Sequence, residues 1–296
     1  MDSPGTIEVT PADIDAYETN GAVCLRSVID ADWLATLKKG IDEIIERPTA
    51  LHTIQTLQDD PGFFLSDICM AQASTDIQKF VLNGPTGVLA AKLMNSQRIN
   101  FWADTLWVKQ AGTPKRTRWH QDQPFFWVNG RQMCVIWCPL DAVPESDCLE
   151  LIEGSHLWGK WFAPELSRHG QDLYNTGGQK FARMPDIDAT REDYVLMRWA
   201  MQPGDVIVFN GSTVHGAPGN SSGIKRRAIS TIWMGDDTQY GERPNPGRPH
   251  FHGHDLVPGD SMDSSYFPRV WPRESDQALN AKNFARFTDS QLTITN

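Results

Sequence analysis

Between about residue 97 and residue 235 the chain is cut into short apolar runs, and this punctuation constrains its fold more than any other feature. RINFWADTLWVKQ, QMCVIWCPL, CLELI, YVLMRWAM, DVIVF and RRAISTIWMG are rich in β-branched and aromatic residues, with Gly, Pro, Asn and Asp between them. Such side chains fit a pleated, half-buried surface, and turn residues at short intervals mark a many-stranded β region. A sandwich or barrel with helices packed outside satisfies this pattern, and a jelly roll is the most economical form.

The first third reads differently. Thr10-Pro11-Ala12-Asp13 is a helix start: Thr10 caps, Pro11 takes the first helical position and Asp13 complements the dipole. AVCLRSVI reads as a short buried strand. DADWLATLKKGIDEIIE places Trp33, Leu34, Leu37, Ile41, Ile44 and Ile45 at helical spacing, so one face of a second helix packs inward. STDIQKFVLNGPTGVLAAKLM predicts a further helix interrupted at Gly84-Pro85. Residues 236–275, rich in Pro, Gly and charge, read as an irregular surface segment. No linker composition separates these parts. The expectation is one domain over 1–296: a helical third over about 1–96, a β core over about 97–235 and an irregular segment over 236–296.

Charge excludes some partners. With 27 Lys+Arg against 37 Asp+Glu the formal net charge is −10, and nucleic-acid binding normally demands a basic face. No polybasic anchor for anionic membranes is visible, and no run approaches the roughly 18–20 apolar residues of a membrane span. The acidic start MDSPGTIEVTPADIDAYE lacks the basic and apolar regions of a signal peptide. Five cysteines, an odd number, do not make a disulfide framework, and Cys134 and Cys138 read as small buried hydrophobes. A reducing cytoplasm is the expected setting. Eleven tryptophans, dense between 102 and 161, read mostly as core, with an aromatic-lined cavity as the sharper alternative.

The stretch RWHQDQPFFW carries two metal-ligating residue types, His120 and Asp122, among Trp119, Phe125, Phe126 and Trp127. On a strand, residues i and i+2 point the same way, so both side chains reach one ion together. Taken alone, the pair is equally an accident of an aromatic turn or a fragment of an acid/base pair. A 2-His-1-carboxylate site needs a third ligand from a distant strand. His215 follows the apolar run DVIVF and precedes a Gly-containing turn, the mouth of a rigid β element. His156 reads as structural. His250, His252 and His254 alternate in a Pro/Gly-rich segment and read as a solvated surface feature.

Four separated motifs, WHQDQPFFW, VIWCPLDAVPESDCLELIEGSH, MQPGDVIVFNGSTVHGAPGN and RRAIS, resemble in order and spacing the phytanoyl-CoA dioxygenase-like family of Fe(II)/2-oxoglutarate oxygenases. YETNGAVCLRSVI and YFPRVWP extend the similarity over nearly the whole chain. The resemblance implies a mainly β fold with flanking α-helices and a double-stranded β-helix (jelly-roll, cupin-like) core. It implies Fe(II) bound by His120, Asp122 and His215, with 2-oxoglutarate and O2 as cosubstrates. Arg226, eleven residues past His215, matches the arginine that binds the distal carboxylate of 2-oxoglutarate. A planar guanidinium grips a carboxylate through two parallel hydrogen bonds and keeps its charge when buried. Arg227 has the opposite strand parity and is expected to face away. Trp137 matches an aromatic near the cosubstrate, with a plain core role as the alternative.

The chain departs from the family pattern at Ser146-Asp147, where Asn-Gly is usual, and at Glu153-Gly154, where Pro-Gly is usual. With Asp122 present, the carboxylate position is not open for a halide, so halogenation is not expected. The implied reaction converts 2-oxoglutarate to succinate and CO2 while oxidising a small molecule. Phe125, Phe126 and Trp127 are the expected substrate-pocket flank, suited to an apolar or polycyclic natural product. Alternatives are an acyl-CoA or amino-acid-derived substrate, and a non-catalytic jelly-roll binding protein.

Overall fold

The structure, a computed structural model, describes residues 7–163, 181–243, 254–264 and 266–272. Helix α1 (Pro11–Asn20) begins where its cap residues predict. Thr10 Oγ1 accepts from the Asp13 N–H at 3.2 Å and the Asp13 carboxylate accepts from the Thr10 N–H at 2.8 Å, a reciprocal capping box. Gly21, at φ 83, turns the chain into β1 (Ala22–Leu25). Helix α2 (Ala31–Glu46) is capped by Asp30 and buries Leu37, Gly40, Ile41 and Ile44. Strands β2 (Thr53–Ile54) and β3 (Phe64–Ile68) precede α3 (Thr75–Asn83) and α4 (Thr86–Leu93). The last two helices divide at Gly84-Pro85, where proline offers no N–H and its ring would collide with the preceding turn.

The remaining strands are β4 (Ile99–Lys109), β5 (Thr117–His120), β6 (Val128–Asn129), β7 (Met133–Pro139), β8 (Glu150–Ile152), β9 (Leu196–Met197) and β10 (Val206–Asn210). After them come β11 (His215–Ala217), β12 (Arg226–Met234), β13 (Gln239–Tyr240) and β14 (Arg269–Trp271). The larger sheet runs β1-β10-β7-β12-β4-β3-β2, with β14 added to β4; the smaller runs β5-β11-β8-β9, and β13 pairs β6.

Alternation along the strands divides the core in two. In β7, Cys134, Ile136 and Cys138 join the cluster formed with Leu37, Ile41 and Phe80 of α2 and α3. Met133, Val135 and Trp137 face the opposite way, into a cluster shared with Leu151 and Ala217 of the smaller sheet. Each fully buried aliphatic side chain contributes about 1.5–3 kcal/mol. The result is two facing antiparallel sheets with helices outside the larger one, the expected jelly-roll fold. All five cysteines are free thiols. Among the described residues no helix is long and apolar enough to cross a membrane.

The structure corrects several expectations about elements. The first third is not wholly helical: between α2 and α3, strands β2 and β3 extend the main sheet. Phe64–Ile68 pairs residue by residue with β4, from Phe64 opposite Lys109 to Ile68 opposite Thr105. Strand β1 ends at Leu25 rather than running on to Ile29. The Asp205 carboxylate accepts from Arg26 Nη1 at 2.8 Å and from the Ser27 N–H at 3.0 Å, and Ser27 turns at φ 53. YVLMRWAM yields only β9, since its partner β8 is three residues long and offers two pairings, Leu151 to Met197 and Ile152 to Leu196. The segment after 236 supplies β13 and β14.

Candidate metal centre

His120 closes β5 and His215 opens β11, and the two are direct partners in the antiparallel ladder. Gly216 permits that closeness: a Cβ there would meet the Thr117 carbonyl oxygen at 3.0 Å and the Arg118 carbonyl oxygen at 3.4 Å. The imidazole centroids are 4.2 Å apart. Phe209 of β10, buried in the interior, lies 4.5 Å from the His215 ring centroid.

Asp122 arrives by another route than strand alternation. It lies beyond the end of β5, at φ −78 and ψ −42, leading into a 3-10 turn over Gln123–Phe125. The N–H groups of Asp122 and Gln123 donate to the Gly211 carbonyl at 3.0 and 2.8 Å, tying the turn to the segment before His215. The two glutamines around Asp122 complete the bracing. Gln121, 2% exposed, donates to the Ser212 carbonyl at 2.8 Å and accepts from the Phe162 N–H at 3.0 Å. Gln123 donates to the Gly130 carbonyl at 2.7 Å and accepts from Ser212 Oγ at 2.7 Å.

Asp122 Oδ1 lies 3.3 Å from His120 Nε2, and Oδ2 lies 3.7 Å from His215 Nε2. One donor atom from each of the three residues falls within 4.8 Å of the others. The far ring nitrogens decide the tautomers. His120 Nδ1 is 2.8 Å from the Arg118 carbonyl oxygen, and His215 Nδ1 is 3.0 Å from that of Thr213. A carbonyl only accepts, so each Nδ1 carries a hydrogen, and each Nε2, turned toward Asp122, is the nitrogen left to bind a metal once it holds no proton. Burial lowers the pKa of His215 to about 4, and the charge of His120 adds to the effect. Burial opposes the Asp122 charge, but His215 and the hydrogen bond from His120 outweigh it and hold the carboxyl below its usual range. Burial likewise disfavours charge on His120, yet Asp122 raises its pKa overall. Two imidazoles and a carboxylate converging with open positions fit a non-haem iron centre.

Arg226, at the start of β12, is 7% exposed. Its Nη2 donates to the Pro218 carbonyl at 3.2 Å, while Nη1 is buried with no acceptor. Burial lowers its pKa to about 10. An unspent, buried guanidinium donor fits the distal carboxylate of 2-oxoglutarate. Arg227 faces the other way, as its parity predicts. It grips Asp141 through Nε at 3.0 Å and Nη2 at 2.7 Å, and reaches Asp42 of α2 at 2.7 Å.

The aromatic flank separates. Phe125 meets His120 edge to face at 5.9 Å. Phe126 packs on Trp102 at 5.6 Å, and Trp127 packs on Tyr240 at 5.6 Å and on His254 at 6.1 Å. Trp137 is buried in the interior cluster, paired across the sheet with Ile207 and Ser230. His156 Nε2 lies 3.0 Å from the Glu18 carbonyl oxygen of α1, apart from the centre. His254 belongs to the aromatic cluster, and His250 and His252 lie outside the described residues.

Sequence reasoning missed Gln121, Gln123 and Phe209, and also Lys109, 1% exposed at the end of β4 opposite Arg226. The glutamines carried a signal: amides alternate with the ligating types in an otherwise aromatic stretch. Lys109 carried one too, a cation inside the apolar run DTLWVK.

A jelly roll bearing this donor set and a buried arginine with a free donor fits one class, the Fe(II)- and 2-oxoglutarate-dependent oxygenases. The chain belongs to the phytanoyl-CoA dioxygenase (PhyH) family, whose model matches residues 17–228, and is an Fe(II)/2-oxoglutarate-dependent dioxygenase. It is 23% identical to a probable phytanoyl-CoA dioxygenase of Caenorhabditis elegans, covering 75% of this chain and 74% of that protein. Among solved structures it resembles SnoK, a non-haem α-ketoglutarate-dependent carbocyclase from nogalamycin biosynthesis, at TM-score 0.70 and 20% identity. That match covers 91% of this chain and all of SnoK. It also resembles the epimerase SnoN in complex with Fe3+, α-ketoglutarate and nogalamycin RO, at TM-score 0.66 and 18% identity, covering 88% and 97% of the two chains.

Proposed function

We propose that His120, Asp122 and His215 hold the iron, that Arg226 anchors the distal carboxylate of 2-oxoglutarate, and that the enzyme oxidises a small apolar or polycyclic natural product. One observation carries this reading: the convergent ligand atoms of the His–Asp–His cluster share the fold with a buried guanidinium whose Nη1 has no acceptor. Bound Fe(II) would supply dioxygen activation coupled to conversion of 2-oxoglutarate into succinate and CO2.

The chain's own residues do the rest. Arg118 and Thr213 carbonyls orient the two imidazoles, and Gln121 and Gln123 hold the turn that aims Asp122. Phe125 and Phe209 lie against the imidazoles and give them apolar neighbours, as the shielding of a reactive oxidant from water requires. Trp137, buried in the same interior cluster, contributes apolar wall near the cosubstrate. Asp122 supplies the carboxylate that halogenation would need removed, which favours oxygenation. The apolar interior and the likeness to enzymes of nogalamycin biosynthesis support the natural-product assignment.

The test is iron-dependent succinate formation coupled to consumption of polycyclic aromatic polyketides, compared with acyl-CoA esters and amino-acid-derived solutes. His215→Ala should abolish turnover while retaining the fold by circular dichroism. Coupled turnover of a CoA ester in preference to every polycyclic candidate would overturn the substrate assignment. Full turnover by folded His215→Ala would overturn the metal assignment.

A further inference from the structure

The ladder between β5 and β11 breaks its register beside the two histidines. His215 pairs with His120 and Ala217 with Thr117, so Gly216 alone faces both Arg118 and Trp119, a bulge in β5. The bulge bears directly on His120, because the carbonyl that takes its Nδ1 hydrogen belongs to Arg118. An extra residue in a strand is left out of the ladder, so backbone pairing alone does not fix the geometry here.

Side chains on the outer face of the smaller sheet hold it instead. Glu150 of β8 stands opposite Gly216 on the far side of β11, and alternation turns it away from the interior that Leu151 enters. Though 4% exposed, it keeps its charge by accepting from Arg116 Nη2 at 2.8 Å, from Arg191 Nη1 at 3.4 Å and from Arg191 Nη2. Burial opposes that charge, but the hydrogen bonds from Arg191 and Arg116 outweigh it and hold the carboxyl below its usual range. Arg116 immediately precedes β5, on one side of the bulge. Arg191, from a 3-10 turn over Arg191–Asp193, lies 5.9 Å from the ring centroid of Trp119, within the bulge. Asp188 accepts from Arg191 Nη1 at 2.9 Å and completes the group. One carboxylate thus reaches across β11 to both sides of the bulge.

Such a network adds little net stability over apolar side chains of the same volume, although removing one partner is destabilising. What it supplies is a fixed position. We propose that Glu150 is a positioning residue for the metal centre: by gripping Arg116 and Arg191 it holds the β5 bulge in the shape that aims His120. The inference rests on the reading of His120 as a metal ligand.

The experiment uses Co(II), whose visible absorption follows ligand geometry and needs no turnover. Glu150→Gln and Arg116→Gln should each bind Co(II) roughly 10-fold more weakly than wild type, with a shifted visible band. Arg116→Lys, which keeps the charge, should recover part of the affinity. The Arg116 side chain is 37% exposed, so its variants keep the test open if Glu150→Gln does not fold. Arg227→Ala breaks ion pairs on the helix-covered face of the larger sheet and should lower the urea midpoint without moving either Co(II) readout. Wild-type affinity and spectrum in folded Glu150→Gln or Arg116→Gln would overturn the role of Glu150. An equal loss of affinity in Arg227→Ala would do the same, since the effect would then be one of general stability. Wild-type Co(II) binding and spectrum in His120→Ala would overturn the ligand reading and this inference with it.

Discussion

His120 and His215 are direct antiparallel partners, with ring centroids 4.2 Å apart and both Nε2 atoms turned toward Asp122. The pairing of β5 with β11 therefore builds two of the three proposed ligands with one ladder contact. The third depends on the turn that follows.

That dependence makes Gln121 a positioning residue. Gln121→Leu keeps the volume but leaves the Ser212 carbonyl and the Phe162 N–H without their partners. Stability should fall by about 1–3 kcal/mol for the unsatisfied groups. Metal affinity should fall about 10- to 100-fold, as when outer-sphere bonds at metal sites are cut. Metal titration of the folded variant checks this; wild-type affinity would show that Asp122 holds its place unaided.

Gly216→Ala tests the ladder itself. The new methyl would stand 3.0 Å from the Thr117 carbonyl oxygen, so β11 must shift from β5. We expect a loss of about 1–3 kcal/mol in denaturant unfolding, the usual range for overpacking, with weaker metal binding. A fully stable variant with intact metal affinity would mean that the two strands have slack.

Arg226 and Arg227 should separate cleanly. Arg226→Ala should raise KM for 2-oxoglutarate by about 100-fold with little effect on stability, since a buried unpaired charge is removed. Arg227→Ala, which breaks the contacts to Asp141 and Asp42, should cost about 1–3 kcal/mol and leave that KM unchanged. Steady-state kinetics paired with urea melts distinguish the two; exchanged phenotypes would reverse the assignment of sheet faces.

The pH dependence of stability should report Lys109. Its pKa in the folded, cosubstrate-free chain is about 6, against 10.5 for an ordinary lysine. Between these values the unfolded chain binds the proton more often, so stability rises with pH, and the penalty is greatest at and below pH 6. Lys109→Met should thus exceed wild type by on the order of 1–3 kcal/mol near pH 6, with the margin shrinking as pH approaches 10. Urea melts across this range, without cosubstrate, provide the measurement; a margin that grows with pH would contradict the burial of an unpaired lysine here.

Much of the molecule was legible in local patterns. Thr10 and Asp13 announced α1, Gly84-Pro85 announced the break between α3 and α4, and strand parity separated Arg226 from Arg227, because caps, ring constraints and alternation act over a few residues. Strands β2 and β3 were not legible: β3 is held by pairing with β4, whose residues lie some 40 positions onward, and β2 by pairing with β3.

By itself, the sequence determined the residue types at the centre, the β character of the core and the side of β12 from which each arginine projects. Tertiary structure alone decided that His215 meets His120, that Asp122 reaches them from a turn rather than a strand, and that Lys109 stands beside Arg226. The physical reason is that each of these meetings is made by hydrogen bonds between segments distant in the chain. Local propensity carries no information about which strands will pair.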